Sequence, residues 1–186
     1  MKTKTILLDT AETLARSRGF DGFSYSDLAD SVGIRKASIH YHYPTKGDLS
    51  VALISRYRTT FLDRLASIAE CESRASGRLL AFLDLYRAAL QGGRSLCLCI
   101  AFSVTQNALP DETRRDVERF HKEVAQWLET VFRLARADGT IRAVTDPKTE
   151  AHGALALVEG AHIMARAATD MARFEAAIDT LRGRAV

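Results

Sequence analysis

Three sets of side chains in this chain of 186 residues could do chemistry, and each points to a different activity. The first is sulfur: Cys97-Leu98-Cys99 lies in an apolar run just after Gly92-Gly93-Arg94, and Cys71 is the third cysteine. A thiol beside Arg94 and a helix start is favoured as the nucleophilic thiolate, while a cysteine inside an apolar run serves equally as a small hydrophobe. Residues two apart on a helix face away from each other, so Cys97 and Cys99 are not expected to pair. The second set is Glu118-Arg119-Phe120-His121 and Glu159-Gly160-Ala161-His162, two Glu-x-x-His spacings. Two such motifs with two further inward Glu build the di-iron centre of ferritin-like bundles. Here Arg119 and Lys122 flank the first motif, and no inward Glu stands among the apolar positions of the other helical stretches, so no metal site is expected. His40-x-His42 spans too little helix to hold a metal alone. A glycine loop for phosphate and a nucleophile motif are both lacking, so neither enzyme activity nor a cofactor is expected.

The third set is Lys36, Ala37, Ser38, Tyr41, His42 and Lys46, with Tyr25 and Ser26 ahead of it. Such groups can read DNA, and they equally make the ordinary polar face of a small helical surface. Lys36 can donate to guanine, Ala37 can touch a thymine methyl, and Ser38 can contact a base or a phosphate. His42, Lys46 and the tyrosine hydroxyls suit phosphate oxygens, as do backbone N–H groups around Tyr25 and Ser26 at a helix start.

The elements that must position these residues are helical throughout. Leu7, Ala11, Leu14 and Ala15 form one face of a first helix that Gly19 stops. Ser24-Tyr25-Ser26-Asp27 has capping-box spacing, and Gly33 ends the short helix behind it. A third helix runs from about Lys36 to His42, where Pro44-Thr45-Lys46 breaks it. At about 100° per residue Ile39 and Tyr43 point one way, and Ala37, Ser38, Tyr41 and His42 cover the other side. Two short helices separated by a glycine turn, behind a longer one, are what a helix-turn-helix reader needs. Leu49, Leu53, Tyr57, Phe61 and Leu65 mark a long fourth helix, and Glu70 to Gly77 is a polar break. A fifth helix carries Leu79, Phe82, Leu83, Tyr86 and Leu90, and residues 96 to 109 read as a sixth. Pro110 opens a helix that Gly139 closes, Asp146-Pro147 caps another rich in Gly and Ala, and the last runs from about Met171 to Leu181.

At this length folding can bury roughly 70% of the unfolded chain's surface, so a core forms without staples. The whole net charge of +3 falls in residues 1–60, which hold nine Lys and Arg against six Asp and Glu. Such an excess suits a nucleic-acid partner, and it also describes an ordinary solvated surface. The longest apolar stretch, Leu96 to Phe102, is far short of the roughly 20 residues of a membrane span. The start lacks the apolar run of an export signal, so the protein is expected in the cytoplasm, with its cysteines as thiols.

From Val32 to Leu49, VGIRKASIHYHYPTKGDL closely resembles the DNA-binding signature of the tetracycline-repressor (TetR/AcrR) family of bacterial regulators, and Phe20, Gly22, Phe23, Leu28 and Ala29 fit as well. The resemblance implies an all-α fold, with a helix-turn-helix domain at residues 1–48 and a helical effector-binding and dimerisation domain at residues 49–186. It implies a homodimer that leaves a palindromic double-stranded operator when a small molecule binds. Residue by residue, Tyr25, His40, His42 and Lys46 match phosphate-contacting positions, and Ser26, Arg35, Lys36, Ala37 and Tyr41 match base-reading or groove-facing ones. Arg35 replaces the usual capping Ser or Thr, and His40 a usual Tyr. Family domains enclose their ligand among the middle helices, so Phe82, Tyr86, Phe102, Trp127 and Glu159 are candidates; aromatics at this spacing also make plain core. The setting of Cys97 resembles the branch that senses electrophiles or oxidants through a cysteine near the start of the sixth helix. Small residues on the last two helices suit a four-helix dimer interface or close packing within one chain. A ferritin-like metal enzyme and a protein-binding adaptor are the rival readings, and salt-dependent DNA affinity separates a regulator from the adaptor.

Overall fold

The computed structural model describes residues 2–105 and 109–186. Its described residues form nine helices: α1 (Lys2–Arg18), α2 (Tyr25–Val32), α3 (Lys36–His42), α4 (Lys46–Cys71), α5 (Ala75–Ala89), α6 (Leu98–Ser103), α7 (Asp111–Asp138), α8 (Pro147–Ala168) and α9 (Met171–Arg182). The all-α architecture follows from the i, i+4 apolar spacing of nearly every segment. One isolated bridge, between Ile141 and Ala185, is the β-type pairing among the described residues. No described helix is long and apolar enough to cross a membrane.

Two compact units divide the chain: Met1–Thr59 with Cys97–Phe120, and Thr60–Leu96 with His121–Val186. They do not follow a single cut at residue 48, because α4 continues through that point and a distant segment joins the front helices.

In the first unit Leu7, Ala11, Leu28, Ile39, Leu49 and Leu53 make a core, and Phe102 from α6 sets its ring edge-on to Phe20 with centroids 5.0 Å apart. The capping box at the head of α2 is present: Ser24 Oγ accepts from the N–H groups of Ser26 and Asp27, and Asp27 accepts from the Ser24 N–H. Thr45 and Asp48 repeat this at the head of α4, where Asp48 accepts from the Thr45 N–H at 2.8 Å and Thr45 Oγ1 accepts from the Asp48 N–H at 3.1 Å. Gly33 closes α2 in the left-handed conformation at φ 74°, which costs an L side chain about 1 kcal/mol or more. Arg56 ties α4 to α1 through Asp9 at 2.6 Å and Glu12 at 2.9 Å.

The expected sixth helix over 96–109 is shorter. Leu98–Ser103 is helical, Cys97 is the extended residue that precedes it, and residues 106–108 lie outside those described. Ahead of it, Gly92 and Gly93 both take positive φ, and the N–H groups of Arg94 and Ser95 turn back to the Leu90 carbonyl, a tight turn that follows α5.

In the second unit α5, α8 and α9 pack around Tyr86, His162, Phe174 and Ile178. The polar break expected over 70–77 narrows to residues 72–74. Arg74 supplies no side-chain cap for α5; instead Asp138 accepts the Ala75 N–H at 2.8 Å and Thr140 accepts the Ser76 N–H at 3.0 Å. Asp146 caps α8 with Pro147 in its first turn. The last residues lie along 140–142, where the Val186 N–H reaches the Thr140 carbonyl and Arg184 pairs with Glu150 at 2.8 Å.

Candidate nucleic-acid interface and effector region

Helix α3 is seven residues long, so its stability comes from packing rather than propensity. Ile39 is fully buried and Tyr43 nearly so, and these two anchors fix which side turns outward. Arg35, Lys36, Ala37, Ser38 and Tyr41 are exposed, with Tyr41 84% accessible, and His42 is half-buried against it at 5.2 Å between ring centroids. Ser26, in the first turn of α2, is exposed as well. Arg35 makes no side-chain cap for α3, leaving its guanidinium for other partners.

Three residues expected at phosphates have partners within the chain. Tyr25 is buried, and its hydroxyl lies 2.9 Å from the Tyr43 carbonyl and 2.6 Å from the Thr45 carbonyl. Burial, then the nearby Asp48 and Tyr43, push its pKa up to about 12. His40 rests edge-on against the Tyr25 ring, and its Nδ1 donates to the Pro44 carbonyl at 3.1 Å. Lys46 donates from Nζ to the carbonyls of Phe20 at 2.6 Å and Phe23 at 2.5 Å, and lies 4.8 and 4.5 Å from the centroids of those rings. Burial holds its pKa below the usual lysine value. Tyr25, His40 and Lys46 therefore brace α2, α3 and the head of α4 against one another. A shallow cleft of about 340 Å³ opens beside them, where Ser24, Lys36 and Thr45 also contribute to the wall.

The six expected effector-site residues fall into both units. In the second, Phe82 stacks on Trp127 with centroids 5.9 Å apart and lies 5.0 Å from Tyr86. His162, fully buried, has Nε2 at 2.7 Å from the Tyr86 carbonyl and so carries its proton there. Glu159 is half-buried, and its Oε1 lies 3.1 Å from His121 Nε2. The two Glu-x-x-His motifs thus meet crosswise, His121 of one with Glu159 of the other, while Glu118 is exposed. No group of three metal-ligating side chains occurs among the described residues.

Cys97 and Phe102 belong to the first unit instead. Cys97 is 1% exposed, and the buried Tyr57 hydroxyl donates to its Sγ at 3.2 Å. Burial, with Cys97 and Cys99 alongside, pushes the Tyr57 hydroxyl well above its ordinary value. Arg94, expected to favour the thiolate, is exposed and directs Nε toward the Gln91 carbonyl. Cys99 is buried and Cys71 exposed. Tyr57 and His121 were legible only as a core position and as half of a metal motif; no sequence signal paired them with Cys97 and Glu159.

On α8 the outward side carries Ala156, Gly160, Ile163, Met164 and Ala167, with Ile163 45% and Met164 55% accessible.

Residues 7–53 match the family model for bacterial regulatory proteins of the tetR family, and residues 75–181 match the tetracyclin repressor-like C-terminal domain. The HTH-type transcriptional repressor NemR of Escherichia coli is 25% identical over 167 residues, which cover 88% of this chain and 84% of that protein. IcaR of Staphylococcus epidermidis, a negative transcriptional regulator of a biofilm operon, is 37% identical over 65 residues, 35% of this chain and 34% of IcaR. A TetR-family transcriptional regulator from Agrobacterium tumefaciens superposes with a TM-score of 0.92 at 28% identity, covering 100% of this chain and 98% of that one.

Proposed function

The chain belongs to the tetracycline-repressor family of bacterial transcriptional regulators, and from that premise we propose that it represses as a homodimer on a palindromic operator and lets go when a small molecule acts on it. The observation that carries the DNA half is the sorting of α3, with Ile39 and Tyr43 inward and a row of donors, a small residue and an aromatic ring outward. Lys36, Ala37 and Tyr41 read base edges; Arg35, Ser38 and His42 serve bases or phosphates; Ser26 meets the groove. Tyr25, His40 and Lys46 hold the frame that presents them. Two relatives that are repressors support the same sense of regulation.

Phe82, Tyr86 and Trp127 supply flat apolar surface for an apolar or amphipathic effector, and Glu159 with His121 supplies the polar anchor that orients it. A coupling of about 1–3 kcal/mol, a 5- to 150-fold change in DNA affinity, suffices for release. Cys97 gives a second input: an electrophile adding to Sγ displaces the Tyr57 hydroxyl, and Phe102 on the short helix that Cys97 precedes passes the strain to Phe20. The exposed apolar side of α8, together with α9, forms the dimer face. Such a dimer sets its two α3 helices about one DNA turn apart, roughly 34–36 Å or slightly more. Its target places its work in the cytoplasm.

Selection from random duplexes tests the reading. An enriched palindrome, bound with an affinity that falls steeply with salt, is expected. Failure to enrich a palindrome at moderate salt refutes it.

A further inference from the structure

Ser50 on α4 and Thr113 on α7 are fully buried, and neither belongs to the DNA face or the effector region. Their Oγ atoms are 2.7 Å apart, and Ser50 Oγ is also 2.7 Å from the Gly47 carbonyl. A carbonyl only accepts, so the Ser50 proton goes to Gly47 and the Thr113 proton goes to Ser50. A second contact lies one turn earlier: a Cβ on Gly47 would come within 2.9 Å of Pro110 Cγ. The start of α7 thus meets the start of α4 through a directional hydrogen-bond relay and a close apolar approach.

That same first turn of α4 carries the Thr45–Asp48 box and Lys46, and Thr45 presents the carbonyl that Tyr25 reaches. Whatever sets its rotation also sets α2 and α3. We infer that the first turn of α7 is a positioning element for DNA recognition: Thr113, acting through Ser50 on Gly47, fixes the rotation of the head of α4 and thereby the aim of α3. Two apolar residues would fill the same space. The hydroxyl pair adds an angular constraint that packing alone does not provide. This makes residues 110–113 an input to the reader separate from Cys97 and Phe102, and it rests on the DNA-binding function proposed above.

The double variant Ser50→Ala with Thr113→Val removes the relay while leaving no orphaned hydroxyl, so it is expected to melt with the parent. Affinity is measured for the operator selected by the parent and, at low salt, for a random-sequence duplex. The double variant should bind the operator roughly 3- to 10-fold more weakly and the random duplex as well as the parent does, because phosphate attraction does not depend on the aim of α3. Thr113→Ser, which keeps the donor, should bind like the parent. Should the double variant fail to fold, Gly47→Ala, which drives Pro110 away, should show the same selective loss. Operator affinity within about two-fold of the parent, or equal losses on operator and random duplex, overturns the inference. A parent that enriches no operator overturns the functional reading together with it.

Discussion

Replacing Lys46 by Met separates two roles that a lysine at the head of α4 could play. In the structure its ammonium donates to the carbonyls of Phe20 and Phe23 at 2.6 and 2.5 Å and lies over both rings. A hydrogen bond from a charged donor contributes about 1.5–3 kcal/mol, and this side chain is only partly buried, so the low end applies to each bond. Methionine keeps the apolar stem against the rings but strands two carbonyls, for a loss of about 2–3 kcal/mol. With a urea dependence of about 2 kcal/mol per molar, the unfolding midpoint followed by circular dichroism should fall by about 1 M. A phosphate contact would behave differently: stability would hold, and the slope of log affinity against log salt would shrink by about 0.9. A Lys46→Met protein with the parent's urea midpoint and a shallower salt slope refutes the bracing role.

Tyr25 gives a pH test. Its pKa rises from 10.0 to about 12 in the folded chain, so its contribution to stability is complete below pH 10 and is lost as pH climbs toward 12. Alkaline unfolding should therefore be steeper in the parent than in Tyr25→Phe. Asp138→Ala should cost about 1 kcal/mol in urea unfolding by uncapping α5, and Asp138→Asn less. Met164→Arg on the outward side of α8 should shift sedimentation from dimer to monomer while leaving helix content intact; a persistent dimer removes α8 from the interface. Brief exposure to a mild electrophile should modify Cys97, read by mass spectrometry, and abolish operator binding in the parent but not in Cys97→Ser. An unmodified Cys97 ends its role as a sensor.

What the sequence disclosed divides along a physical line. Contacts within one turn were legible: the Ser24–Asp27 box, the Gly33 stop, and the outward row of α3 opposite Ile39 all depend on spacing alone. The Thr45–Asp48 box has the same spacing, but Pro44 beside it read as a breaker. The start of α5 was hidden because its caps, Asp138 and Thr140, come from more than sixty residues away. The partners of Lys46 and Tyr25 within the fold, carbonyls at 20, 23, 43 and 45, are backbone groups that no side-chain pattern announces. That Cys97 and Phe102 belong to one unit and Phe82 and Trp127 to the other is hidden for the same reason: helix order is visible in a sequence, and the neighbour across the core is not.

The makeup of the first unit bears on how such regulators can be recombined. The segment matched by the family's DNA-binding model, residues 7–53, looks like a cassette that could be exchanged between relatives to graft one operator preference onto another effector response. Yet Phe20 within it completes its packing against Phe102, and Ser50 its hydrogen bonding against Thr113. A chimera joined just after residue 53 would bring Phe20 and Ser50 against a stranger's ring and a stranger's hydroxyl, or against neither. A working graft must carry two pieces, the front helices and the stretch from Cys97 to Phe120, and exchange them as one inheritance.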